Sequence, residues 1–541
     1  MSLRKLAPLA LAALAALTPA CAPGNEVDDL EDTEQGEKRF SSDEATLVDF
    51  EFDGMLTAPW QTNTTKLIKD QLFYMVGQLN EHRSVARLDK VTITNVKRTS
   101  NGADGWMKVT FHAKLPVGWG EGDAPSTFDL TFPRKIGPKS LTTFTDTYKG
   151  SCVDEDGHDV NSGNFWFHFR PEREGCTFDP AHISTTTAKV TVSTLNTTGK
   201  FPEYDKVWED GTLRVVAVFG KYEDYSTSQS DAGIQAYNEF IDTVRETLGA
   251  GLTTTPANVA SSPGVSAPDV TFSGTIDGAN VSITALLIDS PKVATPTFDA
   301  RYGELTKTAD VITYNGHAGL GANVRALASK GQFTKGRYSV FFFNGCDTFA
   351  YLDDKLSGRF ATLNPDDAKG TKYLDVVTNL MPAYFSSMPT ASLAIVGALA
   401  HPNAPRTYQQ IFSGIDSQQV VVVTGEEDNV YVPKATGFAG MDEAGSVGKG
   451  ESKTYETPTL PAGKYTISLS EKGTTAGDAD LYVGVGYQPT LEMWDERPYL
   501  VGSNEEVTIE LKTPSKLFVM VHGYEDAPVT ANAFRLVVEQ D

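Results

Sequence analysis

Two segments of this chain run from an apolar stretch straight into a reactive side chain. Val311-Ile312-Thr313-Tyr314-Asn315-Gly316-His317-Ala318-Gly319 sets an imidazole just past one hydrophobic run, and Phe341-Phe342-Phe343-Asn344-Gly345-Cys346-Asp347-Thr348 sets a thiol just past another. Both runs have strand composition, and both break at a glycine, so His317 and Cys346 fall in turns at strand ends. If the two strands are neighbours, the side chains face one another across the top of a sheet. A cysteine nucleophile needs that arrangement: the imidazole favours the thiolate and later protonates the leaving group. Taken singly, each residue reads more simply as a packed thiol and a turn histidine.

Cysteine counting singles out the same position. The chain has four cysteines. Cys152 and Cys176 flank one loop-rich stretch and pair most economically with each other, closing a loop of about 25 residues worth roughly 3 kcal/mol in the chain-entropy model. Cys21 belongs to the N-terminus, where Arg4 and Lys5 precede a Leu/Ala run (Leu6–Leu17) and the small-residue stretch Thr18-Pro19-Ala20. This reads as a secretory signal over residues 1–20. A Cys directly after the small residues resembles a lipoprotein signal, and that resemblance implies acylation of Cys21 and membrane attachment through an N-terminal lipid. Cys346 is then the odd thiol of an exported chain.

The elements that must position these groups form a succession of textures. Residues 21–43 are acidic and poor in large apolar groups, a composition that stays disordered as a tether. Residues 44–204 alternate with period two (Val48–Phe52, Lys108–His112, Phe128–Phe132) around one amphipathic helix bearing Leu67, Ile68, Leu72, Met75, Val76 and Leu79. They predict an α+β or β-rich module. Residues 205–440 change to continuous apolar strands at Leu213–Phe219, Ile283–Ile288, Val311–Tyr314, Val340–Phe343, Ala394–Val396 and Val420–Val423, with a helix from Ile234 to Leu248. That pattern predicts an open, largely parallel sheet covered on both faces. Residues 447–541 return to short alternating strands and predict a β-sandwich. The fold class expected is multidomain α/β plus β.

Two resemblances follow from these residues. The strand–His and strand–Cys pair, in that chain order, resembles the caspase, legumain and gingipain group of cysteine peptidases, with gingipain closest in texture. The resemblance implies His317 as general base and acid, Cys346 as nucleophile, and an oxyanion hole from backbone N–H groups near Gly316, Ala318 and Gly319 and after Gly345. It offers Asp289, at the end of the preceding strand, for orienting His317 or lining a specificity pocket. Ala318 departs from the group, which has Gly there; alanine keeps an N–H but adds a methyl that would crowd a substrate. The C-terminal segment, with Gly477-Asp478-Ala479-Asp480-Leu481-Tyr482-Val483 and Val519-Met520-Val521-His522-Gly523-Tyr524, resembles the bacterial pre-peptidase C-terminal domain. That implies an accessory module of secreted hydrolases, most often peptidases.

Other chemistries find little support. Gly316-His317-Ala318-Gly319-Leu320-Gly321 imitates a dinucleotide-binding turn, but its glycine spacing differs from the standard one. Asp154-Glu155-Asp156-Gly157-His158-Asp159 fails the EF-hand pattern, because Cys152 and Gly163 occupy the first and last ligand positions. Asp478 and Asp480 are calcium candidates, with turn capping the simpler role; no other cofactor is called for. No His-Glu-x-x-His, Cys-x-x-Cys, Gly-x-Ser-x-Gly or phosphate-binding loop occurs. A formal charge of −24, from 46 basic and 70 acidic residues, disfavours nucleic-acid partners. The expectation is an exported, lipid-anchored cysteine endopeptidase on the periplasmic face or cell surface, acting on protein or peptide substrates. The alternative is a non-catalytic surface lipoprotein whose degenerate peptidase domain serves binding.

Overall fold

The computed structural model describes residues 45–540 apart from 61–62, 101–104, 121, 155–159, 248–250, 277, 417–418, 434–437, 439, 472–476, 499 and 525–530. The signal segment, Cys21, the acidic tether and all of the 154–159 loop but Asp154 lie outside the described residues. The chain divides into two compact units, one ending at Tyr431 and one beginning at Val432.

The first unit opens with an antiparallel sheet of β1 (Thr46–Pro59), β2 (Val85–Ala86), β3 (Thr92–Ser100), β4 (Trp106–Trp119), β5 (Thr127–Pro133) and β6 (Ile183–Val192). Its order is β2-β4-β1-β6-β5, with β3 also pairing β4. Period-two alternation turns Phe50 and Phe52 inward and Glu51 and Asp53 outward. The amphipathic segment forms two helices, Thr64–Leu72 and Tyr74–Asn80, that meet at Phe73; Asn63 caps the first, its Oδ1 accepting from the Lys66 N–H at 3.2 Å. Cys152 and Cys176 are joined in a disulfide.

The second sheet of this unit comprises β7 (Thr212–Gly220), β8 (Thr253–Thr255), β9 (Asp269–Ile276), β10 (Ala279–Ile288), β11 (Val311–Asn315), β12 (Ser339–Asn344), β13 (Leu374–Asn379) and β14 (Val421–Thr424). The order is β14-β13-β12-β11-β7-β10-β9-β8. From β13 through β10 every neighbouring pair is parallel, while β14 and β9 run antiparallel at the two flanks. Both faces are covered, as continuous apolar strands require. Val215, Ala217 and Phe219 pack with helix Ala232–Thr247, whereas Val216 and Val218 pack with helix Ala322–Lys330.

Four elements differ from expectation. Ala394–Val396 belongs to helix Met388–Leu399, not to a strand. A short run that is apolar on every side carries no period to separate the two states, and this helix is buried along most of its length. The strands beyond the expected set are β8, β9 and β13, and in β13 the buried polar residues Asp375, Thr378 and Asn379 hide it from a search for apolar runs.

The second unit is a sandwich. β15 (Met441–Gly448), β17 (Gly463–Glu471), β19 (Glu505–Leu511) and β21 (Ala531–Gln540) form one sheet; β16 (Ser452–Glu456), β18 (Ala479–Val485) and β20 (Leu517–Gly523) form the other. Tyr465, Ile467 and Leu469 of the first share a core with Leu481, Val483, Val519 and Val521 of the second.

Candidate active site

The sheet reverses its direction of growth at β7, which has β10 on one side and β11 on the other. Crevices outside the carboxyl ends of strands at such a point are where open α/β sheets bind ligands. β11 and β12 lie side by side and parallel, with Asn315 opposite Asn344 as the last pair. His317 and Cys346 each follow that pair by two residues, so both turns leave the same edge.

Glycine is what lets the turns touch. A Cβ on Gly345 would lie 2.5 Å from the Gly316 carbonyl oxygen and 3.4 Å from the Ala318 nitrogen. The Gly316 N–H donates to the Asn344 carbonyl at 3.2 Å, extending the ladder one step, so it is engaged and not an oxyanion donor. Gly319 has φ +58°, the left-handed conformation that glycine adopts without strain. Ala318 is buried, its methyl packed into the core of the N-terminal module instead of facing an open cleft.

His317 is held at both ends. Its carbonyl accepts from the Tyr314 hydroxyl at 2.8 Å and from Asn323 Nδ2 at 2.7 Å. Its Nε2 lies 3.1 Å from the Tyr222 carbonyl, in the loop after β7. Its ring centroid is 5.0 Å from Tyr222 and 5.1 Å from Phe385. An Nε2–H donated to that carbonyl leaves Nδ1 as the basic nitrogen. Tyr222 and Phe385 have no signal in the sequence, since each is an ordinary aromatic in a loop.

Cys346 departs from the expectation of an odd thiol. It is disulfide-bonded, only 5% exposed, and its Sγ lies 3.9 Å from the Ala383 carbonyl oxygen. Counting residues cannot register such a bond, because a disulfide depends on which sulfurs the fold brings together. A sulfur in a disulfide has no lone thiolate to attack with, so the site is chemically closed as it stands. Asp347, next in the chain, is fully buried at φ +49°, and burial pushes its carboxyl up to about 7 despite the nearby Arg170.

Asp289 lies at the end of β10. Its Oδ1 pairs with Lys221 Nζ at 2.9 Å and accepts from the Tyr225 N–H at 2.8 Å, which ties the ends of β7 and β10 together. In the sandwich, Asp478 Oδ1 accepts from the Gly502 N–H at 2.8 Å, and Asp480 Oδ2 pairs with Arg497 Nη2 at 2.8 Å. Among the described residues no group of three His, Cys, Asp or Glu side chains comes together to hold a metal. Among them, too, no helix is long and apolar enough to cross a membrane.

No family model matches the chain. It is similar to the virulence metalloprotease of Vibrio anguillarum, 40% identical over 73 residues, or 14% of this chain and 11% of that protein. It is similar to alkaline serine exoprotease A of Vibrio alginolyticus, 31% identical over 102 residues, or 19% of each. A zinc metalloprotease of Helicobacter pylori is 37% identical over 78 residues, 14% of this chain and 29% of that one. The chain thus spans less than a third of the length of these relatives, whose names are of the metallo and serine types and not the cysteine type. Among solved structures, the pre-peptidase C-terminal domain of a Bacillus anthracis collagenase aligns with 18% of this chain and 88% of its own at 15% identity and TM-score 0.15. The Aeromonas hydrophila periplasmic inhibitor of g-type lysozyme aligns with 20% of this chain and 93% of its own at 19% identity and TM-score 0.16.

Proposed function

We propose that the chain is an exported peptidase of the cysteine type, with Cys346 as nucleophile and His317 as general base and acid. The observation that carries the reading is the register of β11 and β12, which sends both turns off one sheet edge in step. Opening of the disulfide by a dithiol, which is itself oxidised, returns Cys346 to a thiol. His317 Nδ1 takes the thiol proton, the thiolate forms a C–S bond to the peptide carbonyl, and the carbonyl π pair moves to oxygen. Collapse of that tetrahedral species breaks the C–N bond as His317 gives its proton to the departing amine; water then releases the acyl group. Proteolytic relatives and a C-terminal sandwich similar to the pre-peptidase domain support a peptide substrate.

Export and acylation at Cys21 belong to the same proposal.

A second reading has its own support. The burial of Cys346, its disulfide and the buried Ala318 methyl favour a binding protein built on a degenerate peptidase fold. A peptidyl acyloxymethyl ketone applied to the reduced full chain separates the two. Labelling of wild type but not of Cys346→Ala or His317→Ala is expected for the peptidase. Equal absence of labelling in all three, with each protein folded, overturns the peptidase reading.

A further inference from the structure

The N-terminal module and the turn that carries Cys346 share one core. Ala318, Phe349, Ala350 and Tyr351 are buried in one cluster with the apolar residues of the module. Among the described residues, polar contacts cross between the two parts at Arg87 to Thr424 and at Asn80, which reaches both Met381 Sδ and the turn itself. Asn80, the last residue of helix Tyr74–Asn80, donates from Nδ2 to Asp347 Oδ1 at 2.6 Å. Asn80 is 8% exposed and Asp347 0%. The amide is oriented in turn: its Oδ1 accepts from Arg170 Nη2 at 3.4 Å, and Arg170 Nη1 donates to the Gly77 and Phe167 carbonyls.

Asp347 is under two constraints. It follows Cys346 directly and sits at φ +49°, a conformation that a non-glycine residue keeps only where its surroundings impose it. Asp and Asn tolerate it best among side chains with a Cβ. Its Oδ2 has no hydrogen-bond partner, so Asn80 is the donor on which the carboxyl group depends. Loss of that donor leaves a buried carboxylate unsatisfied and removes what holds the turn.

We propose that Asn80 is a positioning residue for Cys346: by fixing Asp347 it fixes the backbone that carries the sulfur, and so makes the N-terminal module an integral part of the site. What the sulfur does rests on the peptidase reading; where the turn is held does not.

The test uses the full chain reduced with a dithiol. Iodoacetamide pulses are applied from pH 5.5 to 8.5, and alkylation at Cys346 is read by peptide-resolved mass spectrometry. Asn80→Leu should raise the Cys346 rate over wild type by about tenfold above pH 7, the effect of losing one buried hydrogen bond to a charged group. The ratio should shrink at pH 5.5, where Asp347 carries its own proton and no longer needs the donor. Asp347→Asn, neutral and tolerant of the left-handed backbone, should bring the Asn80→Leu ratio back toward one. Asp347→Ala should raise the rate with Asn80 in place, which keeps the test open if Asn80→Leu does not fold. An unchanged ratio in folded Asn80→Leu overturns the proposal. So does a rise that is independent of pH and matched at Cys152 and Cys176, because that is general loosening. Peptidase activity absent from wild type alongside the expected alkylation pattern would remove the catalytic reading and leave the positioning role standing.

Discussion

Asn344 Nδ2 donates to Asn315 Oδ1 at 2.9 Å across the last rung of β11 and β12, with both side chains buried at the point where the strands release His317 and Cys346. Ser392, from helix Met388–Leu399, donates to the same Asn315 oxygen at 2.8 Å, and Asn344 Nδ2 also reaches the Met388 carbonyl at 3.2 Å. The rung is therefore locked to the helix that covers it. Asn344→Leu keeps the volume but removes the donor, leaving Asn315 Oδ1 with the Ser392 hydroxyl alone. Urea unfolding should show a loss of about 0.5–1.5 kcal/mol with an unchanged slope, and labelling by the ketone probe should fall with it. A stability equal to wild type would mean that the rung does not hold the strand ends.

The contact between the two turns admits no side chain at Gly345. Gly345→Ala places a methyl carbon 2.5 Å from the Gly316 carbonyl oxygen, and that neighbour is backbone, which has little freedom to give way. The turns must separate, at about 1–3 kcal/mol for overpacking of this kind. The reduced protein should stay folded by circular dichroism yet lose Cys346 labelling. Gly336→Ala provides the control for a glycine change, because a Cβ there meets nothing within 4 Å, although the residue sits at φ +79° and carries a backbone penalty of its own.

The first unit buries carboxyl groups away from the candidate site. Asp375 Oδ2 accepts from the Tyr338 and Tyr408 hydroxyls, each at 2.5 Å, and from Asn429 Nδ2 at 2.6 Å, while its Oδ1 has no partner. Burial pushes Asp375 up to about 7 and Glu426 up to about 8. Asp310, beside Arg337, is pushed up to about 7 for the same reason. Groups whose folded pKa lies above the unfolded value bind protons on folding, so the stability they confer is complete near pH 4 and is lost as pH rises through 7 to 8. Urea unfolding at pH 5, 6, 7 and 8 should show falling stability across that series, and Asp375→Asn should flatten the slope between pH 6 and 8. Stability that rises over the same interval would place these carboxyls in a charged state that the fold accommodates.

Much of the architecture was legible where one physical signal dominated. The β11 and β12 runs are apolar on both faces because helices cover both sides of the sheet, and each stops at a glycine that the turn needs. Ala394–Val396 misled because an all-apolar run has no period, and β13 went unseen because Asp375, Thr378 and Asn379 interrupt its apolar character while remaining buried. The site's surroundings left no trace in local sequence. Asn80 and Asp347 are 267 residues apart and Tyr222 and His317 are 95 apart; contacts of that range have no spacing rule. The state of Cys346 was likewise outside reach, since a disulfide is a fact of proximity and a count of cysteines registers only how many there are.

In the C-terminal sandwich Arg497 does what a bound cation would otherwise do. Its Nη2 pairs with Asp480 Oδ2 at 2.8 Å, its guanidinium lies 4.5 Å from the Tyr482 ring centroid, and Asp480 is 4% exposed. Burial raises the Asp480 carboxyl and Arg497 lowers it, so the pair leaves a partly compensated charge that depends on the arginine. Asp478 Oδ1 is taken by the Gly502 N–H, and the two carboxyl groups are thus each turned to a protein partner. Arg497→Met keeps the apolar stem over Tyr482 but abandons a buried carboxylate, which should destabilise this unit by about 3–5 kcal/mol. Calorimetry of the full chain should show one transition shifted down and the other unmoved. Millimolar calcium or a chelator should leave the wild-type transition where it is, whereas a chelator-dependent fall would show that the carboxylates exchange arginine for a cation. Arg497→Met is the variant in which calcium has room to act, and a calcium-dependent recovery there, absent from Arg497→Met/Asp480→Asn, would identify Asp480 as the group the arginine neutralises.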